Sequence, residues 1–226
     1  MEDYKANNSL IVSFATLRQL VGYLGIALPI LMILYALFFS PCGGIENSIS
    51  AYYHTHMRNV FVGILCGVGV FMITYKGYAR ADTIASTLAG IFAISVAMFP
   101  TSDLSMCEHN GLVSSPIGII HDLVSGGLFL TFAYMSIFLF TKTDTHGIMK
   151  PKKRQRNMLY RFCGWIVASC VALIFLQMTF KIFPSSIKPV FCFETIALIF
   201  FGLSWLTKGE GIGLLNDPNI FPETSA

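Results

Sequence analysis

Long runs of apolar residues, separated by short polar segments, divide the chain. The runs are continuous rather than alternating, which argues against the pattern of a membrane β-barrel. A continuous apolar run of about 20 residues spans a bilayer as a helix, because only a helix pairs all of its own backbone groups in hydrocarbon. Six runs meet this criterion and predict spans at about 18–40, 58–76, 82–101, 117–141, 161–180 and 189–207.

The composition agrees with this pattern. Of the 226 residues, 54% are hydrophobic and 12% are charged, which is about half of the charged share of a soluble domain. The mean hydropathy is +0.66. Such a chain has too little polar surface to stay dispersed in water, which argues against a soluble enzyme. We therefore predict an all-α, multi-pass integral membrane protein with a single transmembrane domain over 1–226, in a bacterial inner membrane or a eukaryotic endomembrane or plasma membrane.

Charged residues are distributed unevenly between the loops. With six spans, both termini lie on one side of the membrane. All of the 15 Lys and Arg except Arg58, Lys181 and Lys188 fall on that side. Short cytoplasmic loops carry an excess of Lys and Arg, so we expect cytoplasmic N- and C-termini. The first, third and fifth loops are then extracytoplasmic.

The densest basic segment, residues 150–156, lies in the fourth loop. Its sequence is similar to a nuclear-localisation or nucleic-acid-binding pattern, but it has no interleaved aromatic residues and adjoins a predicted span. We interpret it as a topology determinant that contacts anionic lipid headgroups. Membrane lipids are thus the expected partners and nucleic acids are not, while the sequence leaves the oligomeric state open.

Small residues and cysteines add two further expectations. Gly63 and Gly67 form a GxxxG motif in the second span, which favours close packing against another helix. Cys42 and Cys107 lie in the first and third loops, where an oxidising compartment would allow them to pair. Their positions in the sequence do not fix the distance between their Cα atoms, so a disulfide and two free thiols both stay open.

Ionisable residues in the interior of a span are costly and therefore mark candidate functional positions. Here they are His121 and Asp122 in the fourth span and Glu194 in the sixth. Each follows the proline that begins its span, Pro116 or Pro189, by about five residues. At 1.5 Å per residue this is roughly 7 Å below the extracytoplasmic boundary, so we expect these groups at similar depth.

The segment before the second span is the densest polar and aromatic stretch of the chain. Three predicted helices begin at this face, and the partial positive charge at each N-terminus favours anions. We therefore expect a polar pocket at the extracytoplasmic end of the second, fourth and sixth helices. The candidate ligand-binding residues are Arg58, Glu194, Tyr52, Tyr53 and Ser48.

Two non-catalytic roles fit such a pocket. One is a structural ion-pair network, in which Arg58 neutralises Asp122 or Glu194, in a scaffold or regulatory membrane protein. The other is a site for a lipid headgroup or small anion, held by Arg58 and the helix N-termini. A transporter is disfavoured because the third and fifth spans supply almost no polar residues at the midplane.

The third role is catalysis by a metal-dependent hydrolase or transferase that acts on a lipid. His54, His121 and a carboxylate would hold Zn²⁺, and Ser50 or a metal-bound water would be the nucleophile. The catalytic candidates are Ser50, His54, His121 and Asp122, and the metal candidates are His54 and His121. Zinc is the candidate cofactor, although the sequence makes none certain.

Two family resemblances bear on these roles. Ser48 and Ser50 shortly before a helix headed by Arg58, in a six-span chain with cytoplasmic termini, resemble the DRAM/Sfk-type membrane family and related bacterial proteins of unknown function. This likeness covers about the first third of the chain and implies a lipid-related or regulatory role with no settled chemistry.

The second resemblance is to the CREST membrane hydrolases, the alkaline ceramidase and adiponectin-receptor-like group. It rests on Ser50-x-x-x-His54 with a further His and Asp. It implies that Ser50, His54 and His121 match the family's Ser and His roles, with Asp122 as the acid. Those hydrolases have seven spans, a zinc-binding His cluster and a late HxxxH motif, whereas this sequence has neither a seventh span nor HxxxH.

Overall fold

Each of the six apolar runs forms a helix, and the all-α prediction is confirmed. The computed structural model describes residues 2–41, 43–77, 79–102, 116–142 and 152–216, with side chains from residue 14 onward. These residues contain no strand. The long helices are α1 (Glu2–Phe38), α2 (Arg58–Thr74), α3 (Arg80–Met98), α4 (Pro116–Tyr134), α5 (Lys153–Phe180) and α6 (Pro189–Lys208).

Helix ends lie within a few residues of the predicted span boundaries, with two exceptions. α1 begins at Glu2 and α5 at Lys153, well before the apolar run in each case, because polar residues outside hydrocarbon still form helix whereas hydropathy marks only the apolar part. α4 continues directly into a π-helical turn, Met135–Leu139. A 3₁₀ turn, Ser50–His54, precedes α2.

Five helices of the described chain are long and apolar enough to cross a membrane, and α2 is apolar but has only 17 residues. Many large apolar side chains lie on the outside of the bundle. Leu123 on α4 and Phe175 on α5 are 70% and 65% exposed, which would favour aggregation in water but suits contact with lipid. The fold is consistent with a multi-pass membrane protein.

Close helix packing uses glycines other than those of the GxxxG motif. α2 and α3 approach at Gly69 and Gly90, where a Cβ on Gly90 would stand 2.6 Å from the carbonyl oxygen of Gly69. Among the described residues, Gly63 and Gly67 instead have nothing within 4 Å of a Cβ position, so they do not form the predicted close contact with another helix of this chain. They lie on an exposed face of α2, whereas Gly69 faces the partner helix.

Successive helices reverse direction, so the bundle has two ends. We call the end where α2, α4 and α6 begin the histidine end, because His54 and His121 lie there. The opposite end carries Lys142, whose Nζ is 3.1 Å from Asp82 Oδ1, together with Arg18 and Lys208. We call this the basic end.

Aromatic side chains fill the core near the basic end. Trp205 on α6 is 1% exposed, and its ring centroid lies 5.9 Å from that of Phe71, 5.4 Å from that of Tyr75 and 5.2 Å from that of Phe140. Trp205 thus joins α6 to α2 and to Phe140, the residue directly after the π-helical turn. These ring contacts hold α2, α4 and α6 together at the basic end, and the opposite ends of the same three helices form the histidine end.

Candidate ligand site at the histidine end

The loop before α2 is attached to the start of α6. Glu194 is 9% exposed, and its Oε2 accepts a hydrogen bond of 2.6 Å from the backbone N–H of Ile49. The backbone N–H of Phe191 donates to the carbonyl of Asn47 at 3.0 Å, and Lys188 Nζ donates to Asn47 Oδ1 at 2.6 Å. These contacts hold the 3₁₀ turn, and with it His54, in one position.

Tyr52 forms the buried centre of this turn. Its side chain is 0% exposed, its ring packs edge-on against Tyr35 with centroids 6.2 Å apart, and its hydroxyl oxygen accepts from the N–H of Glu46 at 3.4 Å. Burial raises the pKa of Tyr52 to about 12, with a smaller contribution from the charge of Glu46. Ser48 Oγ accepts from the N–H of Ala51 at 3.0 Å, so both side chains contribute to the shape of the turn.

His121 on α4 and His54 in the 3₁₀ turn are both oriented by the segment that follows α3. His121 Nδ1 lies 2.7 Å from the carbonyl oxygen of Phe99, and His54 Nε2 lies 3.0 Å from that of Thr101. A carbonyl only accepts, so both of these nitrogens are N–H donors. In the neutral rings the lone pairs are therefore on His121 Nε2 and His54 Nδ1.

The free nitrogen of His121 is the most unusual atom at this end. His121 is 2% exposed, and among the described residues Nε2 has no hydrogen-bond partner. The carbonyls of Phe99 and Thr101 are two residues apart in the chain, so the two histidine rings lie beside the same short segment. Buried polar atoms are nearly always paired, which makes His121 Nε2 a candidate acceptor for a bound molecule.

Arg58 extends this group of side chains towards the surface. Its Nη2 donates to the hydroxyl of Tyr53 at 2.7 Å, and its guanidinium carbon lies 4.5 Å from the centre of the Tyr53 ring. Tyr53 also packs edge-on against His54, with ring centroids 5.4 Å apart. Arg58, Tyr53, His54 and His121 thus follow one another from the exposed surface to the buried interior.

The remaining predicted site residues have other neighbours. Asp122 is exposed and is turned away from His121, since adjacent residues on a helix are about 100° apart. Glu194 is engaged with Ile49, and Ser50 is buried within the turn, at 8% exposure. The structure therefore brings His54 and His121 together with Tyr53 and Arg58, and places Glu194 against the backbone of the turn.

The described residues contain no group of three or more His, Cys, Asp or Glu side chains placed to hold a metal ion. His54 and His121 each offer one ring nitrogen as a metal ligand. The second nitrogen of each ring donates to a carbonyl that fixes the orientation of the ring, as in zinc sites. A catalytic zinc site uses three protein ligands, so a third would be needed. Cys42 and Cys107 lie outside the described residues.

Sequence reasoning missed the carbonyls of Phe99 and Thr101 that orient both histidines. Main-chain acceptors carry no side-chain signature. One signal was present, because Phe99 precedes Pro100, and a residue before proline is driven out of helical geometry. Phe99 has φ −95° and ψ 117°, which turns its carbonyl away from α3 and towards His121.

Comparison with known proteins assigns no function to this site. No protein-family model matches the chain, no curated protein matches it, and no solved structure matches its fold. The chemistry of the side chains at the histidine end is therefore the basis for any functional conclusion.

Proposed function

We propose that this protein is a six-span membrane protein with cytoplasmic termini that binds a lipid headgroup, or a small anion of the same chemistry, at the extracytoplasmic end of α2, α4 and α6. The observation that carries the proposal is the succession Arg58, Tyr53, His54 and His121, which leads from the surface to a buried nitrogen without a partner among the described residues.

The two ends of this succession suit different parts of one headgroup. Arg58 is exposed, and its contacts with Tyr53 restrict its rotamers, so less entropy is lost when it binds a phosphate oxygen. His121 Nε2 accepts a hydrogen bond from a hydroxyl. A phosphate that carries a hydroxylated substituent satisfies both groups at once. Phosphatidylglycerol has this chemistry, whereas phosphatidylcholine has the phosphate but no hydroxyl donor.

The first test measures lipid binding to the purified protein in a neutral detergent by native mass spectrometry. We expect Arg58→Gln to weaken the binding of phosphatidylglycerol by about tenfold, equivalent to the loss of about 1.4 kcal/mol. His121→Phe should retain the phosphate contact but abolish the preference for phosphatidylglycerol over phosphatidylcholine, because it removes the acceptor.

Lys181→Gln is the matched control, since Lys181 is an exposed cation at the same end of the bundle. Binding by this variant should equal that of the wild type. If Lys181→Gln and Arg58→Gln weaken binding equally, the attraction is a general effect of charge and the proposal fails. It also fails if the wild type does not distinguish the two lipids.

A metal-dependent lipid hydrolase or transferase is the second candidate. The observation that favours it is the pair of carbonyl-oriented histidines, whose second nitrogens are those that a zinc ion would take. Where such an ion is bound, it supplies a polarised water or a Lewis acid. Ser50, buried at the start of the turn, is the hydroxyl of this chain that the catalytic hypothesis assigns as nucleophile.

Metal content separates the two candidates. A zinc enzyme is expected to bind one zinc ion per chain after dialysis against a metal buffer, and to lose it in both His54→Ala and His121→Ala. Atomic emission spectrometry measures this directly. The Cys192→Ala variant is a suitable control, because Cys192 is an exposed thiol in the first turn of α6 whose Sγ donates to the carbonyl of Ile187, just before that helix. Zinc that persists in both histidine variants would refute this candidate.

A further inference from the structure

The cations at the start of α5 have two different kinds of surroundings. Lys153 Nζ donates to the carbonyl of Lys142 at 2.8 Å, and Arg156 Nη1 donates to that of Leu215 at 2.9 Å. These two side chains hold neighbouring segments of the chain against α5. Arg154 is instead exposed, and its guanidinium has no hydrogen bond or ion pair with another described residue.

Arg161 lies on the same face of α5 as Arg154. Seven residues make almost two full turns of an α-helix, so the two side chains leave the helix in nearly the same direction, about 10 Å apart along its axis. Arg161 is also exposed, and its guanidinium likewise has no hydrogen bond or ion pair with another described residue. α5 contains no Asp or Glu, so neither arginine has a carboxylate on its own helix.

The rest of this face is apolar and uncovered. Met158, between the two arginines, is 71% exposed, and Trp165, one turn after Arg161, is 61% exposed. The uncharged run of the fifth span begins directly after Arg161. In a bilayer Arg161 would therefore lie at the boundary of the hydrocarbon and Arg154 at the level of the headgroups. An exposed tryptophan close to this boundary is typical of the membrane interface.

We infer that the face of α5 formed by Arg154, Met158 and Arg161 binds a phospholipid whose sugar headgroup carries a further phosphate. The phosphodiester lies beside Arg161, the sugar ring covers the Met158 side chain, and the further phosphate reaches outward to Arg154. A guanidinium pairs with phosphate oxygens through two parallel hydrogen bonds, so each arginine suits one phosphate. Phosphatidylinositol monophosphate has this chemistry.

The direction of the spacing distinguishes this ligand from other anionic lipids. Arg154 and Arg161 follow one another along the helix axis rather than side by side, so they suit two phosphates at different depths. The two phosphates of cardiolipin lie at the same depth in the bilayer, and phosphatidylinositol has only the inner one. This face lies at the basic end, so the inference is independent of the site at the histidine end.

The test measures lipid binding to the purified protein in a neutral detergent by native mass spectrometry. We expect phosphatidylinositol monophosphate to bind at least about tenfold more tightly than phosphatidylinositol or cardiolipin, equivalent to about 1.4 kcal/mol. Arg154→Gln should abolish this preference and leave the binding of phosphatidylinositol unchanged, because it removes only the outer contact. Arg161→Gln should weaken the binding of both inositol lipids.

Arg80→Gln is the matched control, because Arg80 is an exposed arginine at the start of α3, at the same end of the bundle. It removes the same charge and should leave all of these affinities unchanged. Substitutions at exposed positions change stability little, so the variants are expected to fold. Equal weakening by Arg80→Gln and Arg154→Gln would show a general effect of charge and overturn the inference. Equal binding of the three lipids by the wild type would also overturn it.

Discussion

Replacing Trp205 with alanine is expected to lower the free energy of unfolding by about 3–5 kcal/mol, the usual cost of truncating a buried aromatic residue. The side chain is 1% exposed and contacts rings on α2 and at the end of the π-helical turn. Its removal leaves a cavity between three helical segments, because the surrounding rings cannot all move inward. Unfolding in detergent, followed by circular dichroism, measures the change.

The chain contains its own control for this prediction. Trp165 on α5 is 61% exposed, so Trp165→Ala should change the free energy of unfolding by less than about 0.5 kcal/mol. Trp205→Phe keeps most of the apolar volume and should fall between the two. A loss of equal size in Trp165→Ala and Trp205→Ala would contradict the placement of Trp205 in the core.

The second large effect is expected from Glu194→Ala. The variant removes the acceptor of the Ile49 N–H, and Ile49 is 3% exposed, so the donor would be left buried without its partner. Losing a hydrogen bond to a carboxyl group of this kind costs about 2–3 kcal/mol. Because the turn carries His54, we also expect weaker binding of phosphatidylglycerol. Hydrogen exchange at the Ile49 amide reports the local release.

Glu194→Gln separates the roles of shape and charge. The amide oxygen of glutamine still accepts from the Ile49 N–H, so this variant should retain slow exchange at that amide and most of the lipid binding. If the Ile49 amide exchanges as slowly in Glu194→Ala as in the wild type, the hydrogen bond does not hold the turn, and the position of His54 must have another cause.

Hydropathy predicted most of the helical architecture because its cause is local. An uncharged run such as the one beginning after Asp82 has no alternative to helix in hydrocarbon, so the order and approximate ends of the helices could be found without tertiary information. The starts of α1 and α5 could not, since solvated residues from Lys153 onward form helix for reasons that hydropathy does not measure.

The candidate site was only partly accessible to sequence reasoning. His121 could be found because an imidazole in a span is rare, and His54 because it lies in a polar segment. Their orientation depends on the carbonyls of Phe99 and Thr101, which every residue possesses. Glu194 was grouped with His121 and Asp122 by depth alone, whereas the helix rotation that directs it to Ile49 follows from packing.

The contact between Gly69 and Gly90 bears on how the chain enters the membrane. α2 has 17 residues, somewhat less than a span of average length requires, and only a short connection separates it from α3. The bare backbone at the two glycines lets α2 and α3 associate closely, so we expect the pair to insert as one helical hairpin. The insertion of α2 into the membrane then depends on its contact with α3 as much as on its own sequence.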